Sequence, residues 1–328
     1  MVKRLLQLTR PGAFEIVELP SEPPGRGQVT VAVEATTTCP QWDMHLWRGE
    51  PMFPDRALSY PFTAGAPGHE MVGRVIAVGD GVTHLHEGQR VAAWRALSMD
   101  RHGTYATEVN HDESRLLPIP DGPPTEAWAP LELAMCVCAL LRDLSEHGFL
   151  PCERFGVCGL GPGGLIAAQV ARAMGVRQVL GFDSLESRRH FARRQGWCDA
   201  IDPASHDRPS HRGGHDAMDV SIDCVGSAAV VDFLGPRTKH VLALFGVQRE
   251  DYTFKRDYFG GPPLRMWGYP DHNLPAARFA HALILAGKLN LAPLATHRVP
   301  LRDYSRAVQL LLDREAIKVC LLCDRANT

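Results

Sequence analysis

Hydrophobic and polar positions along this chain divide into two textures. Up to about residue 120 the apolar residues come in short runs, "GQVTVAVEA", "HEMVGRVIAVG" and "QRVAAW", bounded by glycine, proline or charge. Runs of this length, rich in valine and alanine, predict strands, and "VGDGV" predicts a turn between two of them. After "LLPIPDGPP" the pattern changes. "TEAWAPLELAMCVCALLRDLSEHG" has helical length, with Thr125 as a candidate cap. "RFGVCGLGPGGLIAAQVARAMGVRQVLGFDSLESRRHFARRQG" then reads strand, glycine turn, helix, strand, turn, helix. That alternation predicts a parallel sheet covered by helices. "MDVSIDCVG", "KHVLALFGV" and "LRMWGY" supply further strands. "PAARFAHALILAGKL" and "DYSRAVQLLLDRE" supply amphipathic helices, and "AIKVCLLCD" a last strand.

Composition changes this picture little. With 328 residues the chain is long enough for two domains. A formal net charge of −2 gives no reason to expect a nucleic acid or an anionic membrane as partner. No apolar run reaches bilayer length and no secretory leader is recognisable, so a cytoplasmic location is expected. Nine scattered cysteines, most inside apolar runs, read as buried thiols. The Cys320/Cys323 pair lies in the last strand and is expected to pack in the core. "PASHDRPSHRGGHDA", with His206, His211 and His215, reads as a solvated loop.

Gly159, Gly161 and Gly164 stand in G-x-G-x-x-G order between a strand and a helix, and Asp183 ends the next strand 19 residues after Gly164. This context is what a dinucleotide turn requires: a tight turn, close backbone approach to a pyrophosphate, and close helix-to-strand packing. The loop Gly159, Gly161, Pro162, Gly163 and Gly164 would face the phosphates. Asp183 would accept from the ribose hydroxyls and disfavour a 2′-phosphate, favouring NAD over NADP. Arg188 and Arg189, on the following helix, read as a solvated face, although Arg188 is near enough to belong to the site. The competing readings are a βαβ turn without ligand, or one for another adenine-bearing cofactor such as S-adenosylmethionine.

Cys39 in "TTTCPQWD", His69–Glu70 in "PGHE" and Glu132 at the start of an apolar helix have no local spacing that joins them. Their order, followed by the glycine turn, resembles the medium-chain dehydrogenase/reductase family, in its zinc-dependent alcohol and polyol dehydrogenase branch. "PGHEMVGRVIAVGDGVTHLHEGQRV" and "GVCGLGPGGLIAAQVARAMG" carry the resemblance most specifically. "GTYATEV", "SIDCVGS" and the C-terminal segment add weaker echoes.

The resemblance implies an α/β chain: a Rossmann doubly wound parallel sheet (126–272) plus a β-rich GroES-like catalytic domain (1–125 with 273–328). It implies one catalytic zinc per chain held by Cys39, His69 and Glu132. Glu70 would be either an outer residue steadying the site or an alternative fourth ligand. One thiolate, one imidazole and one carboxylate leave a fourth tetrahedral position for substrate, as catalytic zinc needs. Cys224, Val225 and Gly226 would join the cofactor site.

The expected activity is NAD-linked oxidation of a polyol, cyclitol or secondary alcohol, or reduction of the matching carbonyl, by hydride transfer from a zinc-bound alkoxide. A homodimer or homotetramer is the expected assembly. The alternatives are a zinc-free reductase of an activated alkene or quinone, and a catalytically silent NAD-binding protein.

The chain departs from the family pattern in three places. Pro40 and Gln41 follow Cys39 where the family often has glycine and a hydroxyl residue that relays the proton. "DMH" (43–45) resembles the family's Asp-x-His shifted by one residue, leaving His45 as a relay or as an ordinary surface histidine. Leu133, not proline, follows Glu132, and residues 93–115 contain no cysteine, so no structural zinc is expected. Trp42, Trp47, Arg48, Trp94, Trp267 and Tyr269 are candidates for a pocket wall.

Overall fold

The computed structural model describes residues 2–53, 56–96, 101–205, 211–258 and 263–323. Two compact units emerge, residues 1–133 with 290–328, and residues 134–289.

The first unit opens with an antiparallel hairpin, β1 (Val2–Arg10) and β2 (Ala13–Pro20). The next strand, β3 (Gln28–Thr37), runs into helix α1 (Pro40–Arg48). Strands β4 (Glu70–Val78), β5 (Arg90–Ala93), β6 (Glu108–Asp112) and β7 (Leu116–Pro118) follow. Pro40 at the first helical position suits α1, because its fixed φ is helical and its missing N–H would have had no partner there. Gly49 ends that helix at φ +75°.

Helix α2 (Leu131–Glu146) has its first three residues in the first unit. Thr125 does not cap it. It begins a short 3₁₀ turn, Thr125–Ala127, and its hydroxyl donates to Glu126. Pro130 explains the later start, since a residue before proline is pushed out of the helical region.

The second unit holds β8 (Arg154–Cys158), α3 (Pro162–Ala173), β9 (Gln178–Phe182), α4 (Glu186–Gln195) and β10 (Asp199–Ile201). It continues with β11 (Met218–Asp223), α5 (Ala228–Leu234), β12 (Thr238–Leu244), β13 (Arg265–Trp267) and α6 (Leu274–Leu285). Its six strands are all parallel, in the order β10-β9-β8-β11-β12-β13. Chain order 3-2-1-4-5-6 is the doubly wound arrangement that reverses beside its first strand. Helix α6, expected with the β-rich domain, belongs to this unit. Phe279 on α6 lies under the Arg142 guanidinium of α2, 5.8 Å from the ring centre.

The chain then returns to the first unit with β14 (Ala295–Pro300), α7 (Tyr304–Leu312) and β15 (Lys318–Leu322). These complete a seven-stranded sheet in the order β14-β15-β3-β4-β5-β7, with β6 paired to β3. The core of this unit joins Val29, Val31, Met71, Val75, Val91, Val319 and Leu321 from the sheet to Leu46, Val308 and Leu311 from the helices. Cys320 and Cys323 are fully buried, and none of the nine cysteines forms a disulfide.

Candidate metal centre and dinucleotide turn

Strand register brings the first cluster together. In the antiparallel β3–β4 pair Thr37 lies opposite Glu70. Cys39, two residues past Thr37, and His69, one residue before Glu70, therefore meet at the same end of the ladder. Cys39 is the N-cap residue of α1. Ligand atoms of Cys39, His69 and Glu70 lie within 4.8 Å of one another. Glu132, in the first turn of α2 where the helix dipole favours an anion, places Oε2 3.7 Å from His69 Nε2. Ligand atoms around a tetrahedral zinc sit about 3.3–3.8 Å apart, given metal–ligand bonds of about 2.0–2.3 Å. The His69–Glu132 separation matches that span.

His69 is oriented for such a role. Its Nδ1 lies 2.7 Å from the Pro67 carbonyl. Donation there leaves Nε2 to face Cys39 and Glu132, the second contact that metal-binding histidines usually show. Burial alone would push the imidazole pKa down. The Cys39 hydrogen bond and the charges of Glu132, Cys39 and Glu70 reverse this and hold it at about 10. This cluster of anion-forming groups could hold a cation, and its soft-plus-hard donor set suits zinc.

Glu70 has partners of its own. Its Oε1 accepts from Lys318 Nζ at 2.8 Å, both side chains fully buried, and its Oε2 accepts from the Thr37 hydroxyl at 2.5 Å. Burial raises the Glu70 pKa, with Lys318 and His69 opposing. Sequence reasoning missed Lys318 and Thr37. The signal was a lysine inside the apolar run "AIKVCLLC", where a charge survives burial only if paired. His45, on α1, pairs through Nδ1 with Glu50 at 3.1 Å.

The aromatic wall candidates have separate structural duties. Trp94 is buried and donates to the Ser114 carbonyl. Trp47 packs on Phe14 and Tyr304, and Trp42 on Phe53. Trp267 donates to Asp143 at 2.6 Å, and Tyr269 packs edge-on to Phe245 and His272. Arg48 is exposed. His206 lies outside the described residues, and His211 stands in irregular turns that expose it.

In the second unit the glycine turn has the expected form. Gly159 has φ +92°, and Gly161 is the N-cap of α3. A Cβ on Gly164 would sit 1.9 Å from the Gly159 carbonyl oxygen, and one on Gly163 would press on the Phe245 ring. A Cβ on Gly161 would meet nothing within 4 Å. The turn is thus tight where helix meets strand and open at Gly161. Cys224, Val225 and Gly226 form the next turn, which adjoins it: a Cβ on Gly159 would lie 2.6 Å from Val225. Asp223 holds that turn by accepting from the Val225 and Gly226 amides.

Asp183 Oδ2 accepts from the Leu160 amide and Oδ1 from the Leu185 amide, both at 2.8 Å. Arg189 is not on a solvated face. It is buried, donates to the carbonyls of Asp183 and Ser184, and pairs with Glu186 and Asp202. Arg188 is half-buried, and burial lowers its pKa while the Asp183 charge opposes this.

Two family models match the chain. The family "Alcohol dehydrogenase GroES-like domain" matches residues 25–121, and "Zinc-binding dehydrogenase" matches residues 162–240. Together they span more than half of the chain. The chain belongs to the zinc-dependent medium-chain dehydrogenase/reductase family. Among relatives of this family, it is 25% identical to L-threonine 3-dehydrogenase of Idiomarina loihiensis, over 92% of this chain and 93% of that protein. It is 25% identical to sorbitol dehydrogenase of Halalkalibacterium halodurans, over 94% of this chain and 96% of that protein. Its fold matches 2R,3R-butanediol dehydrogenase of Bacillus subtilis with a TM-score of 0.82 at 18% identity, covering 98% of this chain and 100% of that one.

Proposed function

We propose that this member of the family is an NAD-linked dehydrogenase of a secondary alcohol or polyol, working with one zinc ion held by Cys39, His69 and Glu132. The observation that carries this reading is that His69 Nε2 lies 3.7 Å from Glu132 Oε2 and that His69 shares a compact cluster of ligand atoms with Cys39, from segments far apart in sequence. The relatives named above act on threonine, sorbitol and butanediol, all small hydroxyl-bearing molecules. Zinc in such a donor set supplies Lewis-acid polarisation of a substrate oxygen at the remaining coordination position.

The chain's own residues do the rest. Pro67 fixes the His69 ring through Nδ1. Lys318 and Thr37 each take one oxygen of Glu70, so its charge steadies the corner while three other donors face the ion. His45, paired with exposed Glu50, would take the proton released by the substrate hydroxyl and pass it to solvent. The α3 N-terminus and the open side of Gly161 receive a pyrophosphate. Asp183 keeps a second lone pair on each oxygen for the ribose hydroxyls, and its charge disfavours a 2′-phosphate.

The test is metal analysis of the purified chain together with a polyol and ketone screen that follows nicotinamide absorbance. One zinc per chain is expected. Cys39→Ser and His69→Ala should each lower kcat/KM by about 10³-fold or more, the scale of several kcal/mol of lost charge stabilisation. Activity that survives both substitutions overturns the reading.

A further inference from the structure

Asp223, the last residue of β11, is fully buried and gathers two turns around itself. Its carboxylate accepts from the Val225 and Gly226 amides at 2.8 and 3.0 Å, in the turn that follows β11. Its backbone carbonyl accepts from the Phe245 and Gly246 amides, both at 2.9 Å, in the turn that follows β12. The two turns touch backbone to backbone. A Cβ on Gly246 would collide with the Gly226 nitrogen, and one on Gly226 with the Val247 oxygen.

Gln248 joins these turns through its side chain. Its Nε2 donates to Asp223 Oδ2 at 3.2 Å and to the Gly246 carbonyl at 2.8 Å. Turning the amide over would set its oxygen against that carboxylate and that carbonyl, so only the donor end can face them. The other end, Oε1, is buried and takes no hydrogen bond from a described residue. A buried acceptor without a donor lowers stability, so the fold alone gives a poor reason for an amide here. The reason lies in what the two turns carry. Val225 stands beside the glycine turn, 2.6 Å from where a Cβ on Gly159 would be, and keeps 46% of its surface exposed there. The Phe245 ring stands 2.9 Å from where a Cβ on Gly163 would be. These two apolar side chains wall the glycine turn from the β11 and β12 sides, and Gln248 ties the turns that present them.

We propose that Gln248 is a positioning residue for the dinucleotide. By tying Asp223 to Gly246 it sets the spacing of Val225 and Phe245 on either side of the glycine turn. With one end of its amide engaged and the other buried, it acts through those two residues. The inference rests on the glycine turn being the dinucleotide site.

The test measures NADH affinity by fluorescence titration, together with the thermal midpoint, in the wild type, Gln248→Met and Thr238→Val. Gln248→Met keeps the length of the side chain and removes its donors. Thr238→Val is the control. It removes a hydroxyl that pairs with Ser221 at 2.6 Å between the same two strands, at the end of β12 away from the turns. Gln248→Met should weaken NADH binding about 10-fold, the scale of one net hydrogen bond. Thr238→Val should lower the thermal midpoint and leave NADH affinity at the wild-type value. If Gln248→Met binds NADH as the wild type does, or if Thr238→Val weakens binding as much, the tie is only structural and the proposal fails. A wild type that binds neither NADH nor NADPH overturns the dinucleotide reading itself, and this inference with it. Should Gln248→Met not fold, Gln248→Asn, whose amide is one methylene shorter, decides by the same criterion.

Discussion

The two units carry their chemistry in opposite ways. In the second, the dinucleotide turn is one stretch of chain, Gly159 to Gly164, completed by Asp183 a single strand later. In the first, the proposed metal corner draws on residues 39, 69, 70, 132 and 318, brought together by the β3–β4 register and by β15 lying beside β3. A contiguous turn is held by local sterics, so its integrity depends on glycines. A corner assembled from distant strands is held by compensation of charge, so its integrity depends on partners that no short motif contains.

The largest effect should come from breaking that compensation. Lys318 and Glu70 are both fully buried, 2.8 Å apart. Lys318→Met leaves a carboxylate in the core with only the Thr37 hydroxyl on its other oxygen. Removing one partner of a buried pair costs about 3–5 kcal/mol, so chemical denaturation should show a loss of that size. The double variant Lys318→Met/Glu70→Gln should recover much of it, because the stranded charge is gone. If the double variant is no more stable than the single one, the pair is not what holds the corner.

The same contrast explains how much could be read from sequence. The second unit was legible because its signals are local: apolar runs, a glycine turn between strand and helix, and an acid one strand on. Most strands and helices of the first unit were legible too, since alternation and turn residues mark them. Its site was not legible from pattern. Cys39, His69 and Glu132 share no spacing, and they drew attention only through resemblance to a family. Lys318 and Thr37 act through contacts made across the sheet, such as the 2.8 Å bond from Lys318 to Glu70. Thr125 misled because a capping residue in the right place says nothing of Pro130 five residues on. Arg189 misled because a charged helix reads as solvated until the helix is seen against Asp183 and Asp202.

A second way to sharpen the comparison uses acid. His111, on β6 of the first unit, is fully buried, and burial pushes its imidazole from the usual 6.5 down to about 4. The folded form therefore keeps this ring neutral, while the unfolded chain takes up a proton as pH falls below 6.5. Stability from this group is fully present above that pH and is lost as pH drops to about 4, by up to about 3 kcal/mol. Hydrogen exchange should show β3 and β6 amides losing protection over this window more steeply than β8 and β11 amides. In His111→Leu the first unit's pH dependence should flatten. Parallel curves for variant and wild type would remove His111 as the source.

The smallest effects separate two glycines within one turn. A methyl group on Gly164 would stand 1.9 Å from the Gly159 carbonyl oxygen, and backbone cannot move aside cheaply. Gly164→Ala should therefore lower the stability of the second unit by about 1–3 kcal/mol, the usual cost of overpacking. Gly161 is different. Its φ is −73° and a Cβ there meets no protein atom. Gly161→Ala should leave the thermal midpoint of the cofactor-free protein where it was. The methyl group would instead occupy the open side of the turn, which a pyrophosphate needs for close approach to backbone amides. NADH titration by fluorescence should then show affinity reduced about 10-fold, a loss near 1.4 kcal/mol. Unchanged affinity in Gly161→Ala would mean that the open side of this turn is not where the phosphates lie.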